Sequence, residues 1–183
     1  MDRIAIFIDG GYLNKILKNE FNSADIDYGK LAATVAHGKE ILRTYYYNCP
    51  PYQGPRPTPN QKKLRDSATT FFTSLSRLPR FEVRLGKLAY RGMNDKGRPI
   101  FQQKRVDIMF GVDLVSMAAT KQISNAAIIS GDSDFVPAVH AAKNHGVLVA
   151  LWHGSMSSTH QELWDECDDR YQITQELIDS IIL

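Results

Sequence analysis

Five aspartates stand in or beside the chain's apolar runs: Asp9 after RIAIFI, Asp107 and Asp113 inside KRVDIMFGVDLVSMAAT, and Asp132 and Asp134 in SGDSDF. Carboxylates gathered in one place repel one another, and their pKa values rise unless a cation lies among them. An oxygen-only donor set suits Mg²⁺ or Mn²⁺, which hold a substrate phosphate and lower the pKa of bound water. The chemistry indicated is in-line attack of water on a phosphodiester. It needs no cysteine or histidine nucleophile.

Each acid also has a plainer use. Asp132 or Ser133 can cap a helix beginning near Asp134, and Asp9 can form a turn. Asp107 and Asp113, six residues apart, lie about 120° around a helix and roughly 9 Å along it. They point at one spot only if the helix end lies beside it. A buried acid in an apolar helix needs a partner. Asp107, just after Lys104-Arg105, is the first choice for the site; Asp113 is a supporting group or a structural ion-pair acid. His140 and His145 are too far apart for the usual i, i+4 ligand pair. Gly10-Gly11 matches neither a dinucleotide fingerprint nor a phosphate loop.

Short apolar strands are expected to position these acids. Residues 3–9 read as a fully buried strand ending at Asp9, followed by helices over 12–20 and 27–37 and a strand over 40–48. The run PPYQGPRPTP holds five of the eight prolines and reads as a stiff, extended loop. A helix over 60–77 follows, then a half-exposed strand over 81–90, the turn RGMNDKGRP and a short return arm at 99–102. The 104–120 segment is apolar nearly all round, which predicts a largely buried helix. Beyond it come strands at 126–130 and 147–151, helices over 135–145, 159–167 and 174–182, and a short extended piece near 171–173. The alternation implies an α/β fold with a mostly parallel central sheet of about five strands and helices on both faces. In such sheets ligands sit beyond the carboxyl ends of the strands. If the strands ending at Asp9 and Ser130 are neighbours, Asp9, Asp132 and Asp134 share one cleft.

Composition narrows the partners. The 183 residues fit one domain, and the 43% hydrophobic and 23% charged content is ordinary for a globular chain. No stretch approaches the roughly 20 apolar residues of a membrane span, and the N-terminus lacks the layout of a secretory signal. Cys49 and Cys167 show no zinc spacing and read as ordinary thiols in a reducing cytoplasm. A net charge of +2 is small, but Arg80, Arg84, Lys87, Arg91, Lys96, Arg98, Lys104 and Arg105 are opposed only by Glu82 and Asp95 in their segment. Such separation suits a negative polymer meeting a metal centre, and equally a solvated basic hairpin. Tyr45, Tyr46, Tyr47 and Tyr52 either stack bases or pack in the strand.

Three blocks, IFIDGGYLN (6–14), KRVDIMFGVDLVSMA (104–118) and AAIISGDSDFVPAVHAAKNHGVLVAL (126–151), together resemble the NYN domain, particularly its bacterial LabA-like branch. The resemblance implies a PIN-like three-layer α/β/α fold and an acidic Mg²⁺ or Mn²⁺ site. By matching positions it implies Asp9, Asp107, Asp132 and Asp134 as metal-site acids, with Asp113 in a less certain role. Asn14, Ser130 and Ser133 match small polar positions that orient water, metal or phosphate. The segment from about 50 to 103 is the variable insertion where substrate choice would lie. The expected activity is RNA hydrolysis, with DNA a possible substrate. Lys104 or Arg105 would neutralise charge on the phosphate, and Arg84, Arg91 and Arg98 of a basic hairpin would bind the backbone. A Toprim-like site would want a glutamate where Asp9 stands. The reading from another class is a nucleic-acid-binding or regulatory module with negligible turnover. The chain ends after the core, which makes substrate capture in trans, or through a homodimer, the expectation.

Overall fold

The computed structural model describes residues 2–155 and 158–183. In chain order the elements are β1 (Arg3–Asp9), α1 (Gly10–Glu20), α2 (Tyr28–Val35), β2 (Glu40–Asn48), α3 (Pro59–Ser76) and β3 (Phe81–Leu85). An antiparallel pair follows, β4 (Lys87–Met93) and β5 (Pro99–Lys104), then α4 (Val106–Ala119) and β6 (Asn125–Ile129). The remainder is α5 (Val136–Asn144), β7 (Leu148–His153), α6 (Gln161–Glu166), β8 (Asp169–Gln172) and α7 (Gln175–Ile181). Six strands form one sheet in the order β3-β2-β1-β6-β7-β8, every adjacent pair parallel.

The period-2 geometry of a strand explains the layers. Ile4, Ile6 and Ile8 of β1 face one core while Ala5 and Phe7 face the other, and none is more than 4% exposed. The first core is closed by α1, α2, α3 and α7, through Leu13, Leu31, Phe72 and Ile178. The second is closed by α4, α5 and α6, through Phe110, Leu114, Val139 and Leu163. The chain is therefore an α/β protein with helices on both faces of a six-stranded sheet. The sixth strand is β8, the piece near 171–173: its register with β7, Ala150 opposite Asp169, brings it into the sheet.

Two expectations change. The single strand over 81–90 is two strands broken at Gly86. A Cβ there would lie 2.5 Å from the Lys104 carbonyl oxygen and 2.7 Å from Val106 Cγ2, so only glycine lets the chain leave the sheet this close to β5. The chain peels off as β4, and β4 and β5 form a separate two-stranded arm. Nor is α4 buried all round, since Ile108 and Val112 on one of its stripes are 71% and 57% exposed. Its apolar composition exceeds what α5 and the sheet cover.

Candidate active site

The strand order reverses between β1 and β6: one half of the sheet grows from β1 through β2 to β3, the other from β6 through β7 to β8. At such a switch point the loops leave the sheet in opposite directions and open a crevice beyond the strand ends. Ile8 of β1 lies beside Ile129 of β6, so Asp9 and Ser130, the next residue of each chain segment, meet at this crevice.

A hydrogen-bond chain fixes the acids. Asp9 is the N-cap of α1, its Oδ1 accepting from the Tyr12 N–H at 3.0 Å. Its Oδ2 accepts from the hydroxyl of Ser130 at 3.3 Å. The fully buried Ser130 oxygen in turn accepts from the Asp132 N–H at 3.2 Å. Asp132 Oδ1 caps the short 3₁₀ turn Ser133–Phe135, accepting from the Asp134 N–H at 3.0 Å. Capping and site-building are one arrangement here, because a carboxylate has about four lone-pair sites and capping uses only one. Asp107, in the first turn of α4, does not line the crevice, although its charge acts on Asp9.

The electrostatics agree. Burial holds the Asp9 carboxyl above the ordinary carboxylate range; hydrogen bonds from Tyr12 and Ser130 work the other way, and the charges of Asp107 and Asp132 add to the rise. Asp107 is raised by burial, then by the charges of Asp132 and Asp134. Charge links Asp107 to Asp9, Asp132 and Asp134, and Asp9 to Asp132. Among the described residues, however, no three His, Cys, Asp or Glu side chains form a ready-made metal-binding group. The donors nonetheless fit Mg²⁺ or Mn²⁺ by type. Mg²⁺ keeps several waters and uses one or two carboxylates with substrate phosphates, not an all-protein cage.

The crevice, about 300 Å³, is lined by Asp9, Tyr12, Lys15, Gln103, Asp132 and His160. Larger hollows of about 560 and 700 Å³ lie elsewhere, the first at the opposite strand ends beside Glu40 and Phe81, the second along α3. Neither is lined by the clustered aspartates, so chemistry and not size selects the site. Tyr12, Lys15, Gln103 and His160 escaped the sequence reading. Tyr12 and Lys15 carried a usable signal, since they fall in the first turns of a helix that begins at the tip of β1. Tyr12 also ties down one wall: its hydroxyl lies 2.9 Å from Thr159 Oγ1 and accepts from the Gly154 N–H at 3.1 Å. Gly131 is packed against this ring, with no room for a Cβ beside Tyr12 and the Ser158 carbonyl.

Asp134 and the other expected site residues are not among those lining the crevice. Asp113 accepts from the Tyr47 hydroxyl at 2.8 Å and from Arg84 Nε at 3.3 Å. It is a structural ion-pair acid, and its separation from Asp107 follows from the six-residue spacing on α4. Arg84 lies on β3 and not on the arm; it is held by Asp113 and Glu82, with its guanidinium 5.3 Å from the Tyr45 ring centre. Asn14 is close enough to the buried Tyr46 hydroxyl to influence it. Ser133 sits half-buried in the 3₁₀ turn. Arg91 and Arg98 are exposed on the arm, where Arg91 Nε donates to Gln102 at 2.9 Å. Lys104 and Arg105 join the arm to α4, and Arg105 holds the left-handed backbone at φ 78°. Such strain in a non-glycine residue costs about 1–3 kcal/mol and gathers at functional sites. Tyr45, Tyr46 and Tyr47 are packing residues, at most 8% exposed. Both thiols are buried and unpaired with each other.

A parallel sheet with helices on both faces and coupled acids at its switch point is the architecture of a PIN-like domain. Residues 3–175 match the NYN domain model, and the chain belongs to the NYN family of PIN-like nucleases. It is 30% identical over 109 residues to the uncharacterised protein y4oD of Sinorhizobium fredii. That match takes in 57% of this chain and 47% of the relative, so the chain spans about half the length of the curated relative. The crystal structure of a protein of unknown function, VPA0982, from Vibrio parahaemolyticus superposes over 100% of this chain and 96% of its own. The TM-score is 0.61 at 19% identity, a likeness of fold alone.

Proposed function

We propose that this chain is a divalent-metal-dependent ribonuclease of the LabA-like branch, acting as one domain in the cytoplasm. The observation that carries the reading is that Asp9 and Asp132 line one crevice at the switch point, with the charge of Asp107 acting on Asp9 and that of Asp134 on Asp107. These four would hold Mg²⁺ or Mn²⁺, which when bound neutralises phosphate charge and lowers the pKa of water. The chain's own groups do the rest. Ser130 holds Asp9 and the Asp132 backbone at a fixed spacing. The capping bonds of Asp9 and Asp132 keep each carboxylate in one orientation, so little reorganisation is needed when substrate arrives. Lys15, Lys104 and Arg105 place positive charge on the approaches, where phosphate enters.

The test is cleavage of labelled single-stranded RNA and DNA with Mg²⁺, Mn²⁺ or EDTA, comparing wild type with Asp9→Asn and Asp132→Asn. RNA cutting that needs metal and falls at least about 100-fold in both variants is expected, the size typical of losing a group that acts on the transition state. Nucleic acid bound in Mn²⁺ without cutting would assign the chain instead to a binding or regulatory module on a nuclease fold.

A further inference from the structure

The arm carries an aromatic cluster that the acid chemistry does not use. Tyr90 and Phe101 are directly opposite across β4 and β5, and Tyr52 joins them from the proline-rich loop. Ring centres lie 5.0–6.2 Å apart. Cross-strand pairing of Tyr90 with Phe101 stabilises the arm, but it leaves the two rings 45% and 40% exposed and does not account for Tyr52. Its surroundings argue for the occupant. The arm presents Lys87, Arg91, Lys96, Arg98 and Lys104 against Asp95 alone. Phe101 shares a face of β5 with Gln103, which lines the acidic crevice. Two residues of strand span about 7 Å, roughly two nucleotides at the ~3.4 Å spacing of stacked bases.

We propose that Tyr52, Tyr90 and Phe101 form a stacking platform for unpaired bases of a single-stranded nucleic acid, directing the strand along β5 into the crevice. Aromatic rings beside basic side chains bind single strands because every base has a π-face, whereas duplex bases are already stacked. The proposal rests on the nuclease reading for where the strand leads, and not for binding itself.

The experiment is fluorescence anisotropy in EDTA, where turnover plays no part, using oligo(U), oligo(dT), an abasic strand of equal charge and a blunt RNA duplex. Wild type should bind the two base-bearing strands more tightly than the abasic strand or the duplex. Tyr90→Ala and Phe101→Ala should each weaken single-strand binding roughly 5- to 150-fold, the span of about 1–3 kcal/mol per stacked base. The conservative Phe101→Trp should keep affinity, its indole emission quenched by single strands and not by duplex, which also guards against a misfolded alanine variant. Equal affinity for all four probes, with emission unchanged, would overturn the platform. So would a concentration-dependent dimer in sedimentation that the alanine variants abolish while binding stays intact; the rings would then be a self-association surface. A stacking chain that never cuts in the Mn²⁺ assay would leave the platform standing and remove only the nuclease reading.

Discussion

Asp9 and Asp113 behave differently at the scale of single residues, and stability measurements separate them. Burial raises the Asp9 pKa, so the folded chain binds the Asp9 proton more tightly than the unfolded chain. The stability this contributes is full below the ordinary carboxylate pKa and is lost as pH rises through the shifted value. At neutral pH the ionised group is a cost. In EDTA at pH 7, Asp9→Asn, which keeps the N-cap oxygen, is therefore expected to melt higher than wild type. The difference should shrink toward pH 4, and Mg²⁺ or Mn²⁺ should raise the wild-type Tm more than the variant's. A lower Tm for the variant in EDTA would contradict the assignment. Substituting Asp113 should have the opposite effect on melting. Asp113→Ala strands the buried Tyr47 hydroxyl, costing about 1–3 kcal/mol, or about 2–12 °C in Tm for a chain of this size. Asp107→Asn should likewise melt higher than wild type in EDTA at pH 7, since burial and the charges of Asp132 and Asp134 raise this carboxyl too, while abolishing cutting. The sequence showed that Asp107 and Asp113 diverge, because helix geometry is local. It did not reveal that Arg84 and Tyr47 hold Asp113, since those partners are 29 and 66 residues away.

Element boundaries were legible wherever one physical signal dominated. The strands over 3–9 and 40–48 match β1 and β2 because unbroken apolar or aromatic runs bounded by acids and turns have one interpretation. The 81–90 segment misled because its alternation continues through Gly86 although the strand changes sheet there. What breaks it is a contact with Lys104 and Val106, and no pattern within the segment encodes that contact. Gly86→Ala tests this root. Overpacking of about 1–3 kcal/mol should lower Tm by about 2–12 °C. It should also impair cutting, since Asp107, in the first turn of α4, lies three residues beyond Lys104. A variant with normal melting and normal activity would show the arm to be loosely hinged instead.

Across the whole molecule, acid and base are separated, with carboxylates at the switch point and cations along the arm. No helix among the described residues is long and apolar enough to cross a membrane. The salt dependence of RNA binding tests the proposal that the arm binds a nucleic-acid backbone. Arg91→Ala and Arg98→Ala should each flatten the plot of log affinity against log salt by about 0.7 per lost phosphate contact, measured in EDTA. An unchanged slope in both would remove the arm from backbone binding. The pairing of β1 with β6 also has a consequence in time. Ser130, which anchors Asp9, is synthesised 121 residues after it, a lag of roughly 6–25 s at 5–20 residues per second. Throughout that interval a nascent chain has Asp9 but no crevice around it. A site joined from both halves of the chain in this order is complete only once the second half of the sheet has emerged.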